Sequence, residues 1–200
     1  MMKTKSFTIV IASIILLLTM PGCRVVTEKE AMDFIQDGWE SMDEGRYSDA
    51  VVDFGKSTDL EPMLADAWNG LGWAYARLNR PDTSVSFFNT GENLNDQTQV
   101  GTEILAGRAF SNLALGEYLL AINDANGALD RAPTWVFRRD PSLTFKQLTL
   151  TVATAHFSLG DYASSLTWVQ RLDAGFLVDV ETLSGLARLS EKLEALKDEV

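Results

Sequence analysis

The chain has 200 residues, 46% hydrophobic and 22% charged, which suits a folded domain with a buried core rather than a disordered tail. It carries 28 acidic against 17 basic side chains, a formal charge of -11, so broad phosphate neutralisation is disfavoured and nucleic acid is not expected as a partner. With one Cys and one His, neither an internal disulfide nor a Cys/His zinc site can be built.

The chain opens with Lys3 and Lys5, followed by an apolar run from Phe7 to Leu18. That run is too short for a bilayer-spanning helix, which needs about 20 apolar residues. A basic start, a short apolar core and small residues at the end describe a signal peptide over residues 1–22. Its end, Thr19-Met20-Pro21-Gly22-Cys23, resembles a bacterial lipobox, with Gly22 as the small residue before the cysteine and Met20 in place of the more usual leucine. The resemblance implies that Cys23 is lipidated and becomes the mature N-terminus. The protein is then exported and membrane-anchored on the periplasmic side of the envelope, at the outer membrane in a Gram-negative cell. Each buried acyl methylene contributes about 0.8 kcal/mol, so two or more chains anchor stably where one does not. Removing residues 1–22 deletes two lysines and no acid, leaving a body too acidic to adhere to anionic lipid by its own surface.

Residues 23–30 form only a short tether. Arg24, Val25 and Val26 separate Cys23 from Thr27-Glu28-Lys29-Glu30, a capping box in front of Ala31, where the first helix is expected to begin. Fully extended, that connection reaches on the order of 13 Å. The folded body is expected to sit close to its membrane.

From residue 31 a repeat appears. Gly45-Arg46-Tyr47-x-x-Ala50-x-x-x-Phe54, ending at Pro62, recurs as Gly116-Glu117-Tyr118-x-x-Ala121 with Ala128 and Pro133, and again as Gly160-Asp161-Tyr162-x-x-Ser165. Between the first two lies Trp68-x-x-Leu71-Gly72-x-x-Tyr75, followed by Phe88. This pattern resembles the tetratricopeptide repeat (TPR), a two-helix unit of about 34 residues. Aligned on that unit, the chain divides into 31–64, 65–98, 102–135 and 146–179, followed by a capping helix over 180–200. The second unit has Asn79 and Pro81 where Gly and Tyr are expected, and Ser84 for Ala. The third offers Leu105, Arg108 and Ala109 in place of the Trp and Leu-Gly part, and the fourth has His156 at the Tyr position.

The expected fold is therefore all-α: an α-solenoid of about four TPR helix-turn-helix units with a C-terminal capping helix. No unit buries its apolar face alone, so stacking supplies the core over 31–179. Turn glycines 45, 116 and 160 can take the left-handed conformation, and Pro62 and Pro133 stop helices. Leu183, Leu186, Leu189, Leu193 and Leu196 share one helix face and close the stack.

The TPR resemblance implies a concave groove lined by the first helix of each unit. Position 9 of the units reads Trp39, Trp73, Phe110 and Thr154, an aromatic row of the kind that anchors a peptide. Beside it, Asn69 is placed to hold a backbone amide of the ligand and Arg77 to meet a carboxylate. The same rings can instead pack between repeats, and exposure of Trp39 and Trp73 decides between the two. The segment 136–145 separates the third and fourth units. It and its flank hold Trp135, Phe137 and the adjacent pair Arg138 and Arg139, which either contact an acidic partner or plug the gap left by the insertion.

No phosphate loop, HExxH, GxSxG or EF-hand pattern occurs, and Asp43 and Glu44 read as solvated residues before a turn. His156 has no motif that brings a nucleophile to it. The expectation is a non-catalytic scaffold without cofactor, binding a protein or peptide partner. A small-ligand or glycan-binding lipoprotein with stacked tryptophans, and a hydrolase using His156, stand as the alternatives.

Overall fold

The computed structural model describes residues 29–94 and 98–200. The signal peptide, Cys23 and Thr27 lie outside the described residues. Nine α-helices follow one another among the described residues: α1 (Ala31–Asp43), α2 (Tyr47–Leu60), α3 (Ala65–Arg77), α4 (Pro81–Glu92), α5 (Gln99–Leu115), α6 (Tyr118–Arg131), α7 (Phe145–Ser158), α8 (Tyr162–Leu172) and α9 (Leu183–Glu199). Each consecutive pair packs as an antiparallel hairpin, and each hairpin packs on the next. The odd-numbered helices α1, α3, α5 and α7 also touch in succession, which makes them the inner, concave layer. The result is an all-α solenoid. None of the described helices is long and apolar enough to cross a membrane.

The helix ends follow from local chemistry. At the start of α1 the cap is Glu30, not Thr27: the Asp33 carboxylate accepts from the Glu30 amide at 3.0 Å. Glu30, directly before Ala31, and Asp33 at the third helical position form the capping box. Three of the four hairpin turns pivot on glycine in the left-handed region: Gly45 (φ 73°), Gly116 (φ 77°) and Gly160 (φ 78°). The second unit uses Asn79 at φ 56°, and Pro81 then opens α4. Asn is the non-glycine residue that tolerates this conformation at least cost, and Pro suits a first helical position.

Aromatic knobs and small residues set the spacing between helices. Phe54 of α2 is wholly buried against Gly38 and Gly70, where an added Cβ would lie within 3 Å of its ring. Phe88 of α4 fits Gly72 and Gly107 in the same way. Burial of a side chain of this kind contributes about 1.5–3 kcal/mol. Ser84 stands in place of the expected alanine without leaving an orphaned hydroxyl, since it donates to the Gly72 carbonyl at 2.8 Å and lies 2.9 Å from Ser111 Oγ.

The third unit departs most from the repeat pattern and compensates with charge. Arg108 bonds both carboxylate oxygens of the buried Asp124 (Nε at 2.9 Å, Nη2 at 2.7 Å), and Asn112 donates to the same group at 2.9 Å. This clamp joins α5 to α6. At the far end, Leu189, Leu193 and Leu196 of α9 bury against Leu150, Ala153 and Val169. Lys192 of the same helix reaches Asp173 after α8 at 3.1 Å.

Candidate functional site

The concave face is divided into two unlike halves by the segment between the third and fourth units. Residues 135–145 fold into a small hairpin. Val136 and Thr144 form an antiparallel bridge, the Phe137 amide donates to the Leu143 carbonyl at 2.9 Å, and the Phe145 amide donates to the Trp135 carbonyl at 2.7 Å. The tip is a turn closed by Leu143 N–H on the Asp140 carbonyl, with Pro141 at its second position. The Asp140 carboxylate accepts from the Ser142 hydroxyl and amide and holds that tip in shape.

The hairpin lies on the concave face of the first three units, and four consecutive side chains engage it. Phe137 stacks on Trp73 at 4.3 Å between centroids and meets Trp39 edge-on at 6.1 Å. Arg138 bonds Glu103 through Nε at 2.7 Å and Nη2 at 3.0 Å, and comes within 3.8 Å of Asp66. Arg139 lies over the Trp39 ring at 4.9 Å. Asp140 meets Arg77 at 2.7 Å. Its carboxyl is held below its ordinary value, chiefly by the Ser142 hydroxyl; burial opposes this, and the Ser142 amide and Arg77 add to the lowering.

These contacts correct the expected anchor row. Trp39 and Trp73 keep only 1% and 3% of their surface, so neither ring is offered to a ligand. Asn69 is buried as well, and its amide donates to Glu103 Oε2 at 3.0 Å instead of waiting for a partner backbone. Arg77 is spoken for by Asp140. Trp135 and Phe137 are buried too, but Phe137 fills the groove itself, not only the gap between units three and four. Arg138 and Arg139 face inward on this chain's own groove. Glu103 falls at a groove-lining position of the third unit but was not among the expected site residues, and Asp140 was not among them either. Glu103 has no exposed surface, and a carboxylate on the first turns of an inner helix was the available signal.

Phe110 and Thr154, the last two members of the row, lie in the other half. There the concave face stays open as a trough of about 480 Å³. Phe110 and Leu113 of α5, Leu150, Thr151 and Thr154 of α7, and Leu143 from the hairpin form its floor and walls. Ser158 and the end of α9, with Lys197, complete the rim. The lining is mainly apolar with a few hydroxyls, a composition that accepts apolar side chains and a small number of directed hydrogen bonds.

His156 lies outside both halves of the concave face. Its Nδ1 is 3.1 Å from the Asp161 carboxylate, which also caps α8 by accepting from the Ser164 amide. Hydrogen bonds from Ser164 chiefly, with His156 adding to them, hold the Asp161 carboxyl below its ordinary value. The pair ties the fourth unit's turn together. No group of His, Cys, Asp and Glu able to hold a metal ion occurs among the described residues.

No protein-family model and no curated protein sequence matches the chain. Solved structures do. The first TPR domain of Spaghetti (RPAP3), bound to the HSP90 peptide SRMEEVD, superposes with a TM-score of 0.56 at 20% identity, over 68% of this chain and 97% of that one. YrrB, described as a TPR protein with an unusual peptide-binding site, gives 0.64 at 12% identity, over 84% of this chain and 87% of that one. MamA gives 0.59 at 15% identity, over 74% of this chain and 79% of that one. The repeat pattern, the stacked hairpins and these likenesses agree: the chain has the tetratricopeptide-repeat fold.

Proposed function

We propose that the protein is a membrane-anchored interaction module of the cell envelope, which binds a partner protein by taking a peptide segment into the open trough between α5, α7 and α9. The observation that carries this reading is the trough itself, about 480 Å³ of mainly apolar concave surface on a rigid helical stack. A preformed concave site needs little ordering on binding, so a few apolar side chains of a partner suffice for useful affinity. The RPAP3 domain holds a peptide, and YrrB is described by its peptide-binding site; both have this fold. The anchor rests on the sequence alone: the basic start, the apolar run and Gly22-Cys23.

A glycan reading relied on exposed tryptophans at positions 39 and 73, and both are buried. The binding reading is tested by recovery of the partner from membranes with wild type and with Thr154→Arg and Ser158→Arg, which place charge in the trough without touching the core. Loss of the partner with both variants, at unchanged helicity, is expected; full recovery would refute the trough as the site. Cys23→Ser is expected to release the protein into the soluble fraction and to abolish incorporation of labelled palmitate.

A further inference from the structure

The hairpin on the first three units is bound as a ligand would be. The floor beneath it is a receptor with distinct subsites: Trp73 takes a ring, Glu103 with Asp66 takes a guanidinium, and Trp39 takes a second cation on its face. Glu103 is wholly buried, and within the helical stack it is met by the neutral Asn69 amide at 3.0 Å, which supplies no opposite charge. A buried carboxylate without an opposite charge is costly, so its presence requires an arginine from somewhere. Here the chain supplies its own.

The fit is also incomplete. Asn69 Oδ1 and Trp73 Nε1, both on the α3 part of this floor, are buried and have no hydrogen-bond partner among the described residues. A buried acceptor and a buried donor on one surface suit a backbone amide and carbonyl of an extended segment, which the hairpin does not present to them. The hairpin's own hold is split. Phe137 is deeply buried, whereas the Arg77–Asp140 pair at the tip is partly exposed and only one β-bridge joins the two arms.

We propose that the concave face of units one to three is a receptor for a segment in which an aromatic residue is followed directly by arginine, and that the hairpin 135–144 is its displaceable occupant in cis. A partner carrying that dipeptide replaces Phe137 and Arg138 side chain for side chain, so Glu103 is never left without a cation. An acidic segment, by contrast, meets Asp66 and Glu103 and is repelled. This site is separate from the open trough, and either can exist without the other.

The test uses the full-length chain and a synthetic peptide with this chain's own sequence over 134–144. Wild type is compared with Phe137→Ala/Arg138→Ala, which empties both subsites. The variant is expected to bind the peptide about tenfold or more tighter than wild type does, because the competing occupant is gone. A peptide with glutamate at the Arg138 position is expected not to bind either protein. A folded variant that ignores the peptide, or that binds the glutamate form equally well, would overturn the proposal. Should the variant not fold, hydrogen exchange on the unaltered protein decides. The Phe137 and Phe145 amides are expected to exchange about tenfold or more faster than those at the centre of α5, since a displaceable hairpin opens below the level of global unfolding. Equal protection would mean a permanent plug and would refute displacement.

Discussion

Arg138 and Glu103 face each other through two hydrogen bonds, 2.7 and 3.0 Å long, with the carboxylate fully enclosed and the guanidinium still reached by water. The pair spans 35 residues and joins the insertion between units three and four to an inner helix. Its two members are unequal in what their loss does. Removing Arg138 strands a buried charge, so Arg138→Ala is expected to cost about 3 kcal/mol, the lower end for a broken buried pair because one side is wet. Adding Glu103→Leu removes the stranded charge and should recover most of that loss. A double-mutant cycle by urea denaturation measures the difference; equal and additive single effects would contradict the pairing.

Phe137 is expected to be the largest single contributor in the hairpin. It is 2% exposed and touches Trp39, Trp73 and Trp135. Phe137→Ala should destabilise by about 3–5 kcal/mol, the range for an aromatic truncated in a core. It should also uncover Trp39 and Trp73, so tryptophan emission shifts to longer wavelength and becomes open to quenching. Unchanged quenching would mean that the ring does not cover them.

The hairpin tip should respond to acid. Asp140 has its carboxyl held below its ordinary value by Ser142 and Arg77. A carboxyl depressed in the folded state stabilises fully above its unfolded value, and that contribution is lost as pH falls through the folded value. Acidification below the ordinary carboxylate range should therefore loosen the hairpin, while neutral and alkaline pH leave it closed. The Asp140→Asn variant should lack this acid step, as followed by exchange of the Phe137 amide; persistence of the same step would assign it to another group.

The turn of the second unit offers a simpler check. Asn79 adopts φ 56° where the other units have glycine. Asn79→Ala is expected to cost about 1 kcal/mol from the steric penalty of the left-handed region. Asn79→Gly should stay within about 0.5 kcal/mol of wild type, since relief of strain and added chain entropy offset each other. Both values follow from chemical denaturation.

The architecture was legible in the sequence because it is local. Gly45, Gly116 and Gly160 with the aromatics that follow them mark turns and helix faces at short range, and apolar spacing does the rest. The state of the groove was not legible in the same way. Trp39 and Trp73 have the spacing of inner-helix residues whether or not something covers them, and the cover, Phe137, arrives from a different unit. The Arg77–Asp140 contact spans 63 residues. No periodicity records such a pairing; only the adjacency of aromatic and basic residues in an insertion hinted at it. The start of α1 shows the same limit on a small scale. Several polar residues before Ala31 can cap, and geometry selects Glu30 with Asp33.

The reading of the protein as a peptide-binding module depends most on the open half of the concave face. A photoreactive residue at position 154, in the trough, and another at Asn123, on the outer helix α6, measure this directly in intact cells. A covalent adduct with one partner protein is expected from position 154 and none from position 123. Adducts from position 123 alone, or equal yield from both, would contradict it.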